Sequence, residues 1–403
     1  MRVQLITQLF DPENAIKGLS FVKELSSCGY DIEVVTTYPS YPGGRIYYGY
    51  KMRIVQVEEI DGVRVVRLPS YISHGKSAIG RLLSYATFSI SAFVYSLLFT
   101  SRPDVIYSYY PPMMGGVAGA LLGFIKRRPF IYDVQDLWPE ALSATGMLKD
   151  RRIIRCVDLV INWVYRRAAA IVVLSDGYKN TLISKGVPES KIHRIYNWCD
   201  ESRIQKQPST VQEENEYFDI TYAGNFGPAQ ALSFVLEAAR SLQDDGHKAI
   251  RFLFLGDGIE CNELKQQAAS LGLSNVVFKG RVPPEQVGAE LQAADALLVH
   301  LADQPVFSIT IPSKTQAYMA IGKPILMAVA GESAELIKKA GAGIISRPCA
   351  PDEIAKAALA MSKSSPAQLA SFGDCAKNFY ITNMSQKNGV EKISLLMKSL
   401  IKK

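Results

Sequence analysis

No two of the six cysteines, Cys28, Cys156, Cys199, Cys261, Cys349 and Cys375, stand close enough in sequence for a CxxC clip or a compact disulfide framework. A zinc ribbon and a cysteine-stapled secreted domain are therefore excluded, and reduced thiols in a cytosolic chain are expected. Histidine is scarcer still: His74, His193, His247 and His300 include no HxH or HExxH spacing, so the expected metal complement is none. The opening MRVQLITQLF alternates like a strand and lacks the apolar run and small-residue cleavage site of a secretory leader, which predicts a mature chain starting at Met1. Basic groups without interleaved aromatics or a recognisable DNA- or RNA-binding motif predict no nucleic-acid partner. Long apolar runs are also rare. Only Leu82 to Ser101 is charge-free over the length of a bilayer crossing.

Nine residues of that stretch carry hydroxyls, and Leu82, Leu83, Ala86, Ile90, Phe93, Val94, Leu97 and Leu98 recur at helical spacing on one side. The pattern predicts a helix packing this stripe on a core, the alternative being a helix lying in the membrane interface beside Arg81 and Arg102. Of the net charge of +7, most lies early: up to Ser175 there are 20 Lys and Arg against 14 Asp and Glu. The groups Lys126–Arg128, Lys149–Arg155 and Arg166–Arg167 either attract phosphate-bearing partners, an anionic membrane face included, or are simply solvated helix ends.

At 403 residues the chain exceeds the size at which one core keeps growing, so two domains are expected. Apolar strands alternate with helical patterns, the signature of parallel sheets covered on both faces. Strands are predicted at 3–7, 32–37, 62–68, 105–109, 130–134 and 170–174, then at 220–223, 251–255, 276–280, 296–300 and 325–328. The fold class is α/β, two doubly wound Rossmann-like domains: 1–204, a polar linker at 205–217 containing Pro208, 218–380, and a C-terminal helix at 381–403 expected to pack back on the first domain. Ligands of such sheets bind beyond the carboxyl ends of the strands, which implies a cleft between the two.

Three segments of the second half carry chemistry. In DQPVFSITIPSKTQAYMAIGKPIL, from Asp303, Pro312 stiffens a turn, Ser313 is the expected N-cap, and a helix beginning near Lys314 points unpaired N–H groups and a full charge at an anion. The same residues also describe an ordinary capped helix. YAGNFGPAQALSF, from Tyr222, places Gly224, Asn225 and Gly227 between a strand and a helix opening near Ala229, a phosphate loop or a tight turn, short of the full GxGxxG fingerprint. In FLFLGDGIECNELKQQAASLGLSNVVFKGRVPPEQV, Arg281 directly follows a strand and is expected to project into the cleft. His300 ends a strand and is a candidate cleft residue. Glu332 either reaches a ligand in the cleft or starts the next helix.

The order Gly-Asn-Phe-Gly, Leu-Gly-Asp-Gly, Lys-Gly-Arg-Val-Pro, Pro-Ser-Lys and Gly-Lys-Pro resembles the donor half of the GT-B retaining glycosyltransferases of family 4. Phe10–Asn14, GGRIYYGY from Gly43, YDVQDLWPE from Tyr132 and YNWCDESRI from Tyr196 are similar to the subgroup building bacterial O-antigen and capsule. The resemblance implies a metal-independent enzyme with no cofactor, at the inner face of the cytoplasmic membrane. Its donor would be a UDP-sugar, L-fucosamine above others, and its acceptor a lipid-diphosphate-linked saccharide. It places the nucleotide diphosphate against Gly224, Asn225, Arg281, Ser313 and Lys314, the two cations stabilising the leaving group. Asp136 stands where the family has a His-Asp pair, with Gln135 at the His position; it orients a hydroxyl or merely caps a loop. Asp133 and Asp136 superficially resemble a DxD motif. Two family glutamates are absent, their positions being Ile309 and Ala317, which leaves Ser308, Thr310 or backbone groups to meet the sugar and suits a deoxysugar methyl. Rival readings are a sugar-nucleotide epimerase of the same architecture and a non-catalytic nucleotide-sugar-binding subunit.

Overall fold

Strands that are buried on both faces, such as Phe130–Val134 and Ala296–His300 with every residue buried, belong in parallel sheets covered by helices. A computed structural model, describing all residues except 42, 74–77, 112, 141–149, 202–215 and 402–403, shows two such sheets. The first contains β1 (Arg2–Thr7), β2 (Asp31–Thr37), β3 (Gln56–Ile60), β4 (Val63–Leu68), β5 (Val105–Tyr110), β6 (Phe130–Val134), β7 (Ala170–Val173) and β8 (Ile192–Arg194), in the order β3-β4-β2-β1-β5-β6-β7-β8. Only β3 runs antiparallel, joined to β4 by a hairpin across Asp61 and Gly62, both at positive φ. The second contains β9 (Phe218–Asn225), β10 (Ile250–Asp257), β11 (Val276–Gly280), β12 (Ala296–His300), β13 (Ile325–Ala328) and β14 (Gly343–Ile345), all parallel, in the order β11-β10-β9-β12-β13-β14.

The chain divides into two units, Met1–Tyr196 with Gly389–Lys403, and Asn197–Asn388. The last helix, Gln386–Ile401, buries Val390, Ile393 and Met397. In the first unit, Tyr30 Oη lies 3.0 Å from the Ser394 carbonyl and 2.7 Å from its Oγ. Most of the expected linker, 205–215, lies outside the described residues, as do His74 and Lys149.

The structure inverts one expectation. The helix Ala78–Leu98 does not bury its aliphatic stripe: Ile79, Ile90 and Leu98 are 72%, 63% and 66% exposed, and Leu82, Leu83 and Val94 are exposed as well. The inward side carries Ser84, Phe88, Ala92, Tyr95 and Ser96 instead. The reason lies in Gln4 of β1 and Gln8 just beyond it, buried glutamines that need partners. Gln8 Nε2 donates to Ser84 Oγ at 2.9 Å, and Gln4 Nε2 donates to Ser96 Oγ at 3.1 Å and to Thr100 Oγ1 at 3.0 Å. Ile79–Leu98 is long and apolar enough to cross a bilayer, by length and composition only, and a third of it is buried.

Candidate active site

In the second unit the strand order reverses between β9 and β12, the position at which open α/β sheets bind ligands. To one side of it, at the carboxyl ends of β9 and β10, opens a cavity of about 390 Å³ lined by Gly224, Asn225, Gly256, Asp257, Arg281 and Val287 among others. Its floor depends on two glycines facing each other across the ladder. Gly224 and Gly256 have φ of +149° and +136°, and a Cβ on Gly256 would lie 1.9 Å from the Gly224 carbonyl oxygen. No side chain fits, so backbone lines the cavity. Arg281, 77% exposed, has its Nε 3.4 Å from Asp257 Oδ2, while Asp257 Oδ1 accepts the Gly258 N–H at 2.8 Å. The carboxylate holds the guanidinium at the cavity wall with donors to spare.

Lys314 sits beneath this loop. Its Nζ is 3.6 Å from the centroid of the Tyr222 ring and would meet a Cβ on Gly224 at 3.1 Å. The ammonium is buried and has no hydrogen-bond acceptor among the described residues, and desolvation pushes its pKa down to about 7. The cation–π contact compensates part of the lost hydration. Tyr222 and a second tyrosine fix the loop above it: Tyr222 Oη donates to the Asn225 carbonyl at 2.8 Å, and Tyr318 Oη accepts the Ala223 N–H at 2.8 Å.

The remaining candidates are placed less centrally. Ser313 is exposed and is the first residue of the helix Ser313–Ile321; Pro312, not Ser313, holds the N-cap position, so the expected side-chain cap does not form. The helix after β9 starts at Ser233, not near Ala229, because Gly227 to Ala231 form a turn that Ala302 N–H ties down through the Ala229 carbonyl at 2.9 Å. Gly227 packs over Asn225, whose Nδ2 donates to Gln230 Oε1 at 3.1 Å. His300 is fully buried and not a cleft residue: Nδ1 lies 2.7 Å from the Gln230 carbonyl, Nε2 accepts the Cys349 N–H at 3.3 Å, and burial lowers its pKa to about 4. It is a neutral tether for the 227–230 turn. Glu332 begins the helix Glu332–Ala340 beside the turn at Ser308–Thr310, where Ser333 Oγ donates to the Thr310 carbonyl at 2.9 Å. Ile309 closes the short helix Pro305–Ser308, and Ala317 lies within Ser313–Ile321.

Asp136 belongs to the first unit, just beyond β6. It is exposed at its surface yet surrounded by enough protein that desolvation raises its carboxyl above the usual range. Its DxD partner is otherwise engaged. Asp133 is buried, pairs with the buried Lys17, accepts from Tyr107 Oη, and takes the Gln135 amide on its other oxygen. Lys17 also lies 5.0 Å from the Tyr109 ring centroid, and burial lowers its pKa. A carboxylate committed to an internal ion pair is a poor metal ligand, and the described residues contain no cluster of three or more His, Cys, Asp or Glu placed to hold an ion. Sequence reasoning passed over Lys17, although an aspartate on a wholly apolar strand signals a hidden counter-charge. It also passed over Asp257.

Comparisons with known proteins bear on the fold and the family. A family model described as "Glycosyl transferase 4-like domain" matches residues 19–198, and one described as "Glycosyl transferases group 1" matches 203–379. The chain is 26% identical over 342 residues to a Pseudomonas aeruginosa protein named probable glycosyltransferase WbjE, covering 81% of this chain and 83% of that one. It is 25% identical over 314 residues to WcaI of Escherichia coli (strain K12), whose name assigns it to colanic acid biosynthesis, covering 75% and 76%. The crystal structure of Anabaena HepE in complex with UDP and glucose matches with a TM-score of 0.67 at 18% identity, covering 99% of this chain and 100% of that one. Two parallel-sheet units, each bearing its own glycosyltransferase domain in that order, make this chain a member of the GT-B glycosyltransferases.

Proposed function

We propose that the chain transfers an N-acetylated deoxyhexosamine, L-fucosamine first, from a UDP-sugar to a polyprenyl-diphosphate-linked saccharide in cell-surface polysaccharide assembly. The observation that carries this is the unpaired Lys314 ammonium beneath the Gly224 loop, beside a cavity holding Arg281. A buried cation without an anion favours binding one, and a nucleoside diphosphate supplies it. Gly224, Asn225 and Gly227 offer backbone to the diphosphate; Ser313, Lys314 and Arg281 offer donors and charge; Glu332 reaches the nucleotide. The half-buried Ile309 suits a methyl where other sugars carry a hydroxymethyl. The names of WbjE and WcaI support glycosyl transfer in cell-surface polysaccharide assembly, and the UDP of the HepE crystal supports a UDP-linked donor.

The reaction breaks the anomeric C–O bond to the diphosphate and forms a C–O bond to the acceptor on the same face. The acceptor proton passes to the departing phosphate oxygen, Arg281 and Lys314 stabilise the charge, and Asp136 orients the acceptor hydroxyl. Attachment is peripheral, at the inner face of the cytoplasmic membrane, through the exposed aliphatic face of Ala78–Leu98 and the neighbouring basic groups.

Purified protein incubated with UDP-N-acetyl-L-fucosamine and a lipid-diphosphate-linked N-acetylglucosamine tests the reading. The expected outcome is an α- or β-linked product of the same anomeric configuration as the donor, formed equally well in excess EDTA. A changed UDP-sugar without transfer would identify an epimerase, and donor binding without turnover a non-catalytic subunit. A divalent-ion-reversible loss would return Asp133 and Asp136 to consideration as ligands.

A further inference from the structure

His300 is no cleft residue, yet it is fastened to the loop that lines the cavity beside Arg281. It closes β12, is wholly buried, and makes one hydrogen bond at each ring nitrogen. The Gln230 carbonyl can only accept and the Cys349 N–H can only donate, so the proton sits on Nδ1 and the lone pair on Nε2. One tautomer is thereby fixed, donating at one corner of the ring and accepting at the other. No other uncharged side chain offers both on a rigid ring at that separation.

Both partners belong to backbone that needs fixing. Ala231, next to Gln230, has φ of +46°, and Cys349 itself has φ of +54°. Residues with a Cβ hold that conformation only where their surroundings enforce it. Gln230 and Ala231 lead toward the helix Ser233–Asp244, and Cys349 and Ala350 into the helix Pro351–Ser362. These two helices pack on each other, Leu236 and Ala239 sharing a core cluster with Ile354 and Ala358. The imidazole joins both helix entries to the end of β12, where the Ala302 N–H also holds the Ala229 carbonyl at 2.9 Å.

From Gln230 the restraint reaches the cavity. The Gln230 N–H donates to the Gly227 carbonyl at 2.9 Å, and Gln230 Oε1 accepts from Asn225 Nδ2 at 3.1 Å. Asn225 lines the cavity beside Gly224, and its carbonyl is held by Tyr222 Oη at 2.8 Å. Both residues are exposed, and Gly224 has no side chain to anchor it. Such a loop loses conformational freedom when it closes on a ligand unless it is braced beforehand, and a braced loop binds more tightly for the same contacts.

We infer that His300 is a positioning residue for the donor diphosphate: through Gln230 it holds Asn225 and the Gly224 backbone in the arrangement the ligand requires. This rests on the reading of that cavity as the donor site. The test is calorimetric titration of the full chain with UDP, alongside melting temperatures. His300→Asn keeps a donor near the Nδ1 position and His300→Gln an acceptor near Nε2, so the two variants separate the arms of the ring. Both should lower the melting temperature, but His300→Gln should weaken UDP by about ten-fold while His300→Asn stays within about three-fold of wild type. Gln230→Ala spares the carbonyl that His300 holds and removes only the acceptor for Asn225; it should weaken UDP by about as much as His300→Gln, with little change in melting temperature. In an Asn225→Ala background, His300→Gln should cost less than about two-fold further, because its effect runs through that side chain. Wild-type UDP affinity in both His300→Gln and Gln230→Ala would overturn the inference and leave the donor site intact, with the histidine serving stability alone. Equal weakening by the two His300 variants, or full additivity with Asn225→Ala, would overturn it as well. Failure of the wild type to bind UDP would overturn both the inference and the donor-site reading beneath it.

Discussion

Lys314 makes the donor site sensitive to protonation. Because burial holds its pKa near 7, much of the ligand-free protein carries the neutral amine at about pH 8, whereas a bound diphosphate favours the ammonium. UDP affinity should be full below about pH 7 and decline as pH rises through it, with proton uptake on binding that appears as a buffer-dependent heat in calorimetry. Lys314→Met should abolish the uptake and weaken UDP by roughly ten- to a hundred-fold, and Arg281→Ala should weaken it comparably without touching the uptake. The linkage to stability has the opposite sign. The unfolded lysine binds a proton up to about pH 10.4, so ligand-free wild type should gain stability between about pH 7 and 10, and the methionine variant should be more stable at pH 7 and flat across that window. A melting series without this contrast would remove the buried cation from the account. Asp136→Asn should lower turnover by about 10²–10⁴ with donor affinity unchanged; since its carboxyl titrates high, the wild-type acid limb should lie above the ordinary carboxylate range. Near-normal turnover would leave Asp136 as a loop residue. Gly224, Asn225 and Arg281 were legible in sequence because strand-end glycines and strand-following cations announce themselves locally. The Lys17–Asp133 pair was not, since its partners are 116 residues apart and neither sits in a periodic pattern.

At the scale of elements, β1, β6, β11, β12 and β13 were legible nearly to the residue because apolar runs bounded by turn signals leave little choice. β3, β8 and β14 escaped because two are three residues long and β3 is an edge strand whose two glutamates mask its alternation. Ala78–Leu98 was recognised as a helix but turned the wrong way round. Periodicity locates a stripe without saying which side faces protein, and here the buried Gln4 and Gln8 drew the hydroxyl side inward. The outward stripe predicts behaviour at a bilayer. Ile90→Glu and Leu98→Glu, at exposed positions, should leave the melting temperature near wild type yet abolish co-sedimentation with anionic liposomes. High salt should weaken wild-type attachment through the loss of the contributions of Arg102 and Lys126–Arg128 without abolishing it. Equal binding of both variants would acquit this face. Phe88→Ala, on the inward side and fully buried, should instead cost about 3–5 kcal/mol of stability.

At the scale of the molecule, the two-unit architecture followed from length and from strand–helix alternation, and a C-terminal helix packing back on the first domain was expected, whereas the bounds of the division, after Tyr196 and before Gly389, needed coordinates. UDP should slow amide exchange at the carboxyl ends of β9 and β10 and at Ser313–Lys314. It should stabilise the second unit by about 2.7 kcal/mol at a hundred-fold excess over its dissociation constant, with the strands of the first unit unchanged. Protection confined to the first sheet would misassign the donor site. The placement of the last fifteen or so residues also bears on synthesis. The first unit emerges from the ribosome first but lacks Val390, Ile393, Met397 and the Ser394 partner of Tyr30 until all of Asn197–Asn388 has been translated. At roughly 5–20 residues per second that is a wait of roughly 10–40 s with an apolar seam uncovered. The second unit has no such wait, so the half of the chain begun first is the half finished last, and a nascent chain stalled near its end should be recognised by chaperones through its beginning.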